Sequence, residues 1–328
     1  MKILIIRFSS IGDIVLTTPV VRAIKEQLED PIVHYVTKQK FASILDGNPY
    51  VDKVFSMDKS IGELLEVLKQ ENYDHVIDLH NNVRTLSLKK KLARPSVTFQ
   101  KLNWKKWLLV KMKINKMPDL HVVDRYFGAV CNLGVKNDKR PGDFFISHQN
   151  EVNIQEEFGL TPKSFIAIAI GAQFKTKQMP VELIINIVNK LDVAVVLVGG
   201  ETDIELSKAI QDKSEKKVHD ACGKFNLAQS SSIVAKSSKL LTNDTGMMHI
   251  ASCLNIPIIS IWGSTVPSLG MYPYYPSQKD MYSIHEVQDL GCRPCSKIGY
   301  QKCPKGHFKC MKEQNVNAIV KDIQRIYS

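Results

Sequence analysis

What constrains this chain most is an alternation of short, almost unbroken apolar runs with longer segments of helical spacing. Residues 3–8, 32–36, 75–79, 165–170, 193–198, 240–242 and 256–262 are runs of the first kind. Strands buried on both faces read in this way, and parallel neighbours need crossover connections between them. Residues 20–28, 61–68, 181–191, 205–210 and 227–235 carry apolar side chains at helical spacing and supply those crossovers. The expected fold class is therefore α/β with parallel sheets. The alternation breaks once, over the polar and charged residues 136–161, which include Arg140-Pro141-Gly142-Asp143 and lead to the turn Gly159-Leu160-Thr161-Pro162. Because 328 residues exceed one typical domain, the break predicts two similar halves, 1–155 and 156–328. Ligands of open α/β sheets bind outside the carboxyl ends of the strands, so the chemistry is expected at those ends, in a cleft.

A formal net charge of +11 calls for an anionic partner: nucleic acid, a membrane surface or a phosphorylated small molecule. No helix-turn-helix, zinc finger, aromatic-rich RNA-binding strand or GXXG clamp is present, so nucleic acid is not expected. No run approaches the roughly 18 apolar residues that cross a bilayer. Met1 leads straight into a strand-like segment rather than a secretory leader, and the expected compartment is the cytoplasm.

Arg7-Phe8-Ser9-Ser10-Ile11-Gly12-Asp13 follows the first strand and opens a helix. It lacks the three glycines of a dinucleotide fingerprint, which disfavours a nicotinamide dehydrogenase. Gly12 permits a sharp turn, and Asp13 falls where a helix N-terminus favours a carboxylate. Taken locally, Asp13 is a helix cap contributing roughly 1 kcal/mol.

Thr242-Asn243-Asp244-Thr245-Gly246-Met247-Met248-His249 also lies after a strand and opens a helix. Free N–H groups and the helix dipole make such a start an anion site. Thr245 and Gly246 offer a hydroxyl and an open backbone, with His249 one turn along the same face. The ordinary alternative is a cap made by Asn243 or Asp244, with His249 hydrogen-bonded against the sheet. Glu201, after Val198-Gly199-Gly200, is either a carboxylate for a ribose or an exposed first-turn residue.

The stretch from Arg7 to Val20, the Asn243-to-His249 motif and the continuation from Pro257 to Gly263 closely resemble glycosyltransferase family 9, the ADP-heptose:lipopolysaccharide heptosyltransferases. The resemblance covers nearly the whole chain, to a terminal helix over 316–326. It implies the GT-B fold: an acceptor-binding Rossmann-like domain over 1–155, a donor-binding one over 156–328, and a last helix packing back on the first. It makes Asp13 the general base, with Ser9, Ser10 and Gly12 on the acceptor side. It assigns the donor to Lys177, Glu201, Asp244, Thr245, Gly246 and His249, and adenine to Phe225, Asn226 and Leu227. Lys177 sits three residues before Pro180, as in the family's K-x-W-P, although Met179 stands where the family has tryptophan.

The implied reaction is inverting transfer of a sugar, heptose by the resemblance, from an ADP-sugar to a lipopolysaccharide inner-core acceptor. The helix start and Lys177 would stabilise the leaving diphosphate in place of a metal, so no catalytic cofactor is expected. Two rivals stand beside it. A nucleotide-sugar epimerase or hydrolase would turn over donor alone, and a non-catalytic anion-binding protein would bind nucleotide diphosphate without saturation.

Two segments remain. Over 89–116, lysines interleave with Trp104, Trp107 and aliphatic residues, so Lys105 and Lys106 are expected to face a lipid-linked acceptor and the inner membrane surface; alternatively the tryptophans pack inward. Cys131, Cys222 and Cys253 read as buried small hydrophobes. Cys292, Cys295, Cys303 and Cys310 form a cluster with partial zinc spacing and His307 as a rival ligand, expected to be a structural loop, reduced or zinc-bound.

Overall fold

The structure, a computed structural model, describes residues 1–58 and 60–325; the Ile326 end of the expected terminal helix lies outside them. The chain forms two compact units, Met1–Lys101 with Leu120–Phe145, and Leu102–Asp119 with Ile146–Ser328. Where the sequence reading draws one boundary at 155, the units interleave.

In the first unit β1 (Lys2–Ile6), β2 (Ile32–Lys38), β3 (Lys53–Met57), β4 (His75–Asp78) and β5 (Ser96–Thr98) form one sheet in the order β3-β2-β1-β4-β5. Every neighbouring pair is parallel, with Ile6 beside Val36 on one side and Asp78 on the other. Leu4, Ile6, Val36, Phe55, Val76 and Leu88 share a core, and the helix Thr18–Gln27 buries Val20, Val21, Ala23 and Ile24. Arg22 on that helix is also buried. It donates to Asp138, Asp143 and the Pro141 carbonyl, and so pins part of the polar 136–161 stretch onto the first unit.

The second unit holds β6 (Phe165–Ala169), β7 (Ala194–Val198), β8 (Val218–Asp220), β9 (Lys239–Asn243), β10 (Ile258–Trp262) and β11 (Tyr282–Glu286), again all parallel, in the order β11-β10-β9-β6-β7-β8. Phe165, Ala167 and Ala169 enter one core, while Ile166, Ile168 and Ile170 enter another on the opposite face. That two-residue period, buried on both sides, is why the strand reads as one apolar run. The terminal helix Val316–Gln324 sinks Ile319, Val320 and Ile323 into the second of these cores.

Read outward from its first strand, each sheet reverses direction once, between β1 and β4 in the first unit and between β6 and β9 in the second. These are the switch points at which open α/β sheets bind ligands.

Candidate functional site

At the first switch point the chain leaves β1 through Arg7, which is 7% exposed. Its Nη2 pairs with Asp13 Oδ1 at 2.5 Å, its Nε donates to the Ser9 carbonyl at 2.9 Å, and its Nη1 donates to the carbonyl of Leu79, beyond β4. Burial opposes the guanidinium's charge, but Asp13 and its neighbours outweigh burial and hold its pKa above the ordinary value. Ser10 precedes the short helix Ile11–Val15, and its hydroxyl donates to Asp13 Oδ2 at 2.7 Å. Asp13 therefore belongs to a cap and also keeps a side chain 23% exposed, enough to meet a ligand. Ser9 and Ser10 are half-buried and Gly12 is buried.

At the second switch point Thr245 precedes the helix Gly246–Cys253, and its side chain makes no capping bond to that helix. Neither Asn243 nor Asp244 caps it. Asn243 Oδ1 accepts from the Met179 backbone at 3.0 Å, tying the loop after β6 to the end of β9. Asp244 Oδ2 lies 2.6 Å from Lys177 Nζ and accepts from the Thr265 hydroxyl at 2.8 Å. Lys175, the other lysine of that loop, turns instead to Gln178, at 3.0 Å. Met179 is buried in the core. Lys177, Asp244, Thr245 and Gly246 thus come together. His249 is one turn on but only 2% exposed.

The remaining residues expected at the donor are more scattered in their roles. Glu201 is exposed in a short 3-10 turn after β7. The carboxylate that turns inward there is Asp203, which the sequence reading passed over: it is 7% exposed, accepts from the Gly200 N–H at 3.0 Å and fills the space a Cβ on Gly171 would need, 2.3 Å away. The glycines at 171, 199 and 200 were the signal for it. Phe225 packs on Phe158, ring centroids 6.4 Å apart. Asn226 caps the helix Leu227–Lys236, accepting from the Gln229 N–H at 2.8 Å, and Leu227 is half-buried.

Lys105 and Lys106 lie on the short helix Asn103–Trp107, both half-buried, and a π-helical turn, Leu108–Met112, follows. Trp104 and Trp107 are 68% and 44% exposed, their rings stacked 4.9 Å apart. Lys113 donates to the carbonyls of Cys292 and Pro294, at 3.1 and 2.7 Å. None of the seven cysteines forms a disulfide; Cys222 is buried, Cys253 half-buried and Cys131 exposed, so the last does not fit the expectation of a buried hydrophobe. Burial, then the neighbouring Cys292, pushes the Cys295 thiol up to about 11. Among the described residues no set of three or more His, Cys, Asp or Glu is gathered as metal ligands, and the zinc reading of the cluster gains no support from its geometry. Among them, too, no helix is long and apolar enough to cross a membrane.

The family model described as glycosyltransferase family 9 (heptosyltransferase) matches residues 61–300. Lipopolysaccharide heptosyltransferase 1 of Campylobacter coli is 28% identical over 361 aligned positions, spanning 98% of this chain and 99% of that one. A family 9 glycosyl transferase structure from Veillonella parvula superposes with a TM-score of 0.80 at 24% identity, covering 98% and 96% of the two chains. E. coli heptosyltransferase WaaC with ADP-2-deoxy-2-fluoro heptose gives 0.70 at 19% identity, covering 99% of each. The two parallel-sheet, Rossmann-like units are those of the GT-B fold. With the family model spanning well over half of its 328 residues, the chain belongs to glycosyltransferase family 9, the heptosyltransferases.

Proposed function

We propose that this glycosyltransferase moves a heptose from ADP-heptose to a lipopolysaccharide inner-core sugar with inversion, the second unit holding the donor and the first the acceptor. The observation that carries the reading is the meeting of Lys177 and Asp244 beside the helix Gly246–Cys253, whose first N–H groups receive no capping bond from Thr245. An ammonium and a helix start at a switch point suit a diphosphate. The relative from C. coli, a lipopolysaccharide heptosyltransferase, and the E. coli fold relative with a fluorinated ADP-heptose support the sugar and the nucleotide.

In this reading Asp13 takes the proton of the acceptor hydroxyl as its oxygen attacks the anomeric carbon, and ADP departs from the opposite face. Arg7 and Ser10 hold the carboxylate in one orientation. Lys177, Thr245 and Gly246 meet the growing negative charge on the diphosphate, while Asp244 works through Lys177 and His249 supports the helix from within. Glu201 hydrogen-bonds the ribose, and the segment Phe225, Asn226 and Leu227 lines adenine through its backbone and apolar side chains, since the Asn226 carboxamide oxygen already serves as a cap. Incubation with ADP-heptose and deacylated inner-core oligosaccharide tests the reading. A product heavier by one heptose supports it; release of ADP at the same rate without acceptor would favour a hydrolase. Turnover is expected to survive excess EDTA.

The protein is further proposed to work at the inner face of the cytoplasmic membrane, held peripherally by the segment around Trp104. Exposed indoles amid lysines suit an anionic interface, where each basic residue contributes on the order of 1 kcal/mol. Replacing Lys105, Lys106 and Lys111 with glutamine should weaken salt-sensitive binding to anionic vesicles and leave ADP affinity intact. Lys113 is kept, because it anchors the segment. Undiminished co-sedimentation would put the docking surface elsewhere.

A further inference from the structure

His80 stands just beyond β4, at the same switch point as Asp13, and no role has been assigned to it. Asp78 Oδ1 accepts from the backbone N–H groups of both His80 and Asn81, at 3.0 and 2.7 Å, so the chain turns tightly as the strand ends. Asn81 completes the turn at φ 54°, a left-handed conformation that asparagine tolerates. Asp78 is itself 1% exposed and lies 3.0 Å from Lys89. The guanidinium that orients Asp13 also grips the Leu79 carbonyl, one residue before His80. On its other side the imidazole packs on Phe8, ring centroids 5.1 Å apart. The backbone, the ring and the base are thus held by one small network.

His80 Nδ1 is buried and has no hydrogen-bond partner among the described residues. Leaving a buried polar atom without a partner is costly, so a site that keeps one calls for an explanation. Burial, then the nearby charges of Arg7 and Lys101, pushes the imidazole down to about 4. At neutral pH the ring is uncharged and offers one N–H donor and one acceptor nitrogen. A neutral ring of that kind suits a sugar hydroxyl, which both donates and accepts, better than a carboxylate or phosphate.

The second unit supplies an internal precedent. There the loops after the two strands flanking the switch point, β6 and β9, meet as Lys177 and Asp244. In the first unit the corresponding loops follow β1 and β4, and Arg7 joins them, pairing with Asp13 and donating to the Leu79 carbonyl one residue before His80.

We propose that His80 is an acceptor-binding residue, whose imidazole hydrogen-bonds a hydroxyl of the acceptor sugar beside Asp13. This deepens the heptosyl-transfer reading and rests on it. The test compares His80→Phe, which keeps the packing on Phe8 without the hydrogen bonds, with His80→Gln, which keeps a donor and an acceptor. Using deacylated inner-core oligosaccharide and ADP-heptose, His80→Phe should raise the acceptor KM about tenfold, leave the donor KM unchanged, and be largely rescued in His80→Gln. An unmoved acceptor KM in His80→Phe, or equal shifts in both constants, overturns the proposal. Asp13→Asn run alongside separates the two readings. If Asp13→Asn is inactive while His80→Phe binds acceptor normally, only the His80 assignment falls; if Asp13→Asn turns over normally, the base assignment falls first. Saturation-transfer NMR with the same oligosaccharide reads the His80 contact without turnover, and an unchanged signal in His80→Phe likewise overturns it.

Discussion

Lys177 meets Asp244 where a diphosphate is expected, so the donor must enter an ion pair already formed. The lysine still contributes, because a charge-assisted hydrogen bond is worth about 1.5–3 kcal/mol. Lys177→Ala should weaken ADP binding at least tenfold by calorimetry, whereas Lys175→Ala, which removes only a bond to Gln178, should change it little. Asp13→Asn should lower turnover roughly 10²-fold and spare ADP affinity, a loss on the scale of general-base catalysis. His80 predicts a pH effect that needs no substrate. Its pKa is depressed to about 4 by burial and by Arg7 and Lys101, against the opposing pull of Asp13 and Asp78, so the unfolded chain takes up the proton first. That stability is complete above the ordinary histidine pKa, near 6.5, and is lost as pH falls towards 4. Urea midpoints recorded over this window should fall more steeply for the wild type than for His80→Gln; parallel curves would contradict the assignment. Motif reading singles out Asp13, Lys177 and Thr245 because the residues that mark each of them lie within a few positions. Asp203 and His80 escaped it because each acquires its meaning from a loop far away in sequence, Gly171 for one and Arg7 for the other.

Among the strands, the apolar runs located β1, β2, β4, β6, β7, β9 and β10. The strands that left no such run are β3, β5, β8 and β11, and these are the outer strands of the two sheets. An outer strand has one neighbour and faces solvent along its free edge, so Ser96–Thr98 and Tyr282–Glu286 carry polar residues where an inner strand carries Ile or Val. The polar stretch at 136–161 was informative for a different reason than its composition suggested. Asp138 and Asp143 lie against Arg22, with Asp143 pushed up by burial despite the guanidinium beside it. Removing one partner of a buried ionic group leaves the others uncompensated, at a cost of about 3–5 kcal/mol. Arg22→Ala should lower the urea midpoint accordingly, and a shift equivalent to less than about 1 kcal/mol would mean the aspartates are well solvated.

At the scale of the whole molecule, sequence alternation and family motifs were enough for two parallel-sheet units and for where each keeps its loops. They did not reveal that Leu102–Asp119 groups with the second unit, because no local pattern marks a segment whose partners lie nearly two hundred residues on. Lys113, joined to the Cys292 and Pro294 carbonyls, makes that placement concrete. The backbone therefore passes between the units after Lys101, after Asp119 and after Phe145. A protease that severs the chain just beyond Phe145 would cut one covalent link only, since the amino-terminal fragment still contributes 102–119 to the body of the second unit. The two pieces should co-migrate on a native gel and part only in denaturant, because a thread drawn through the second unit stays there when the chain is cut.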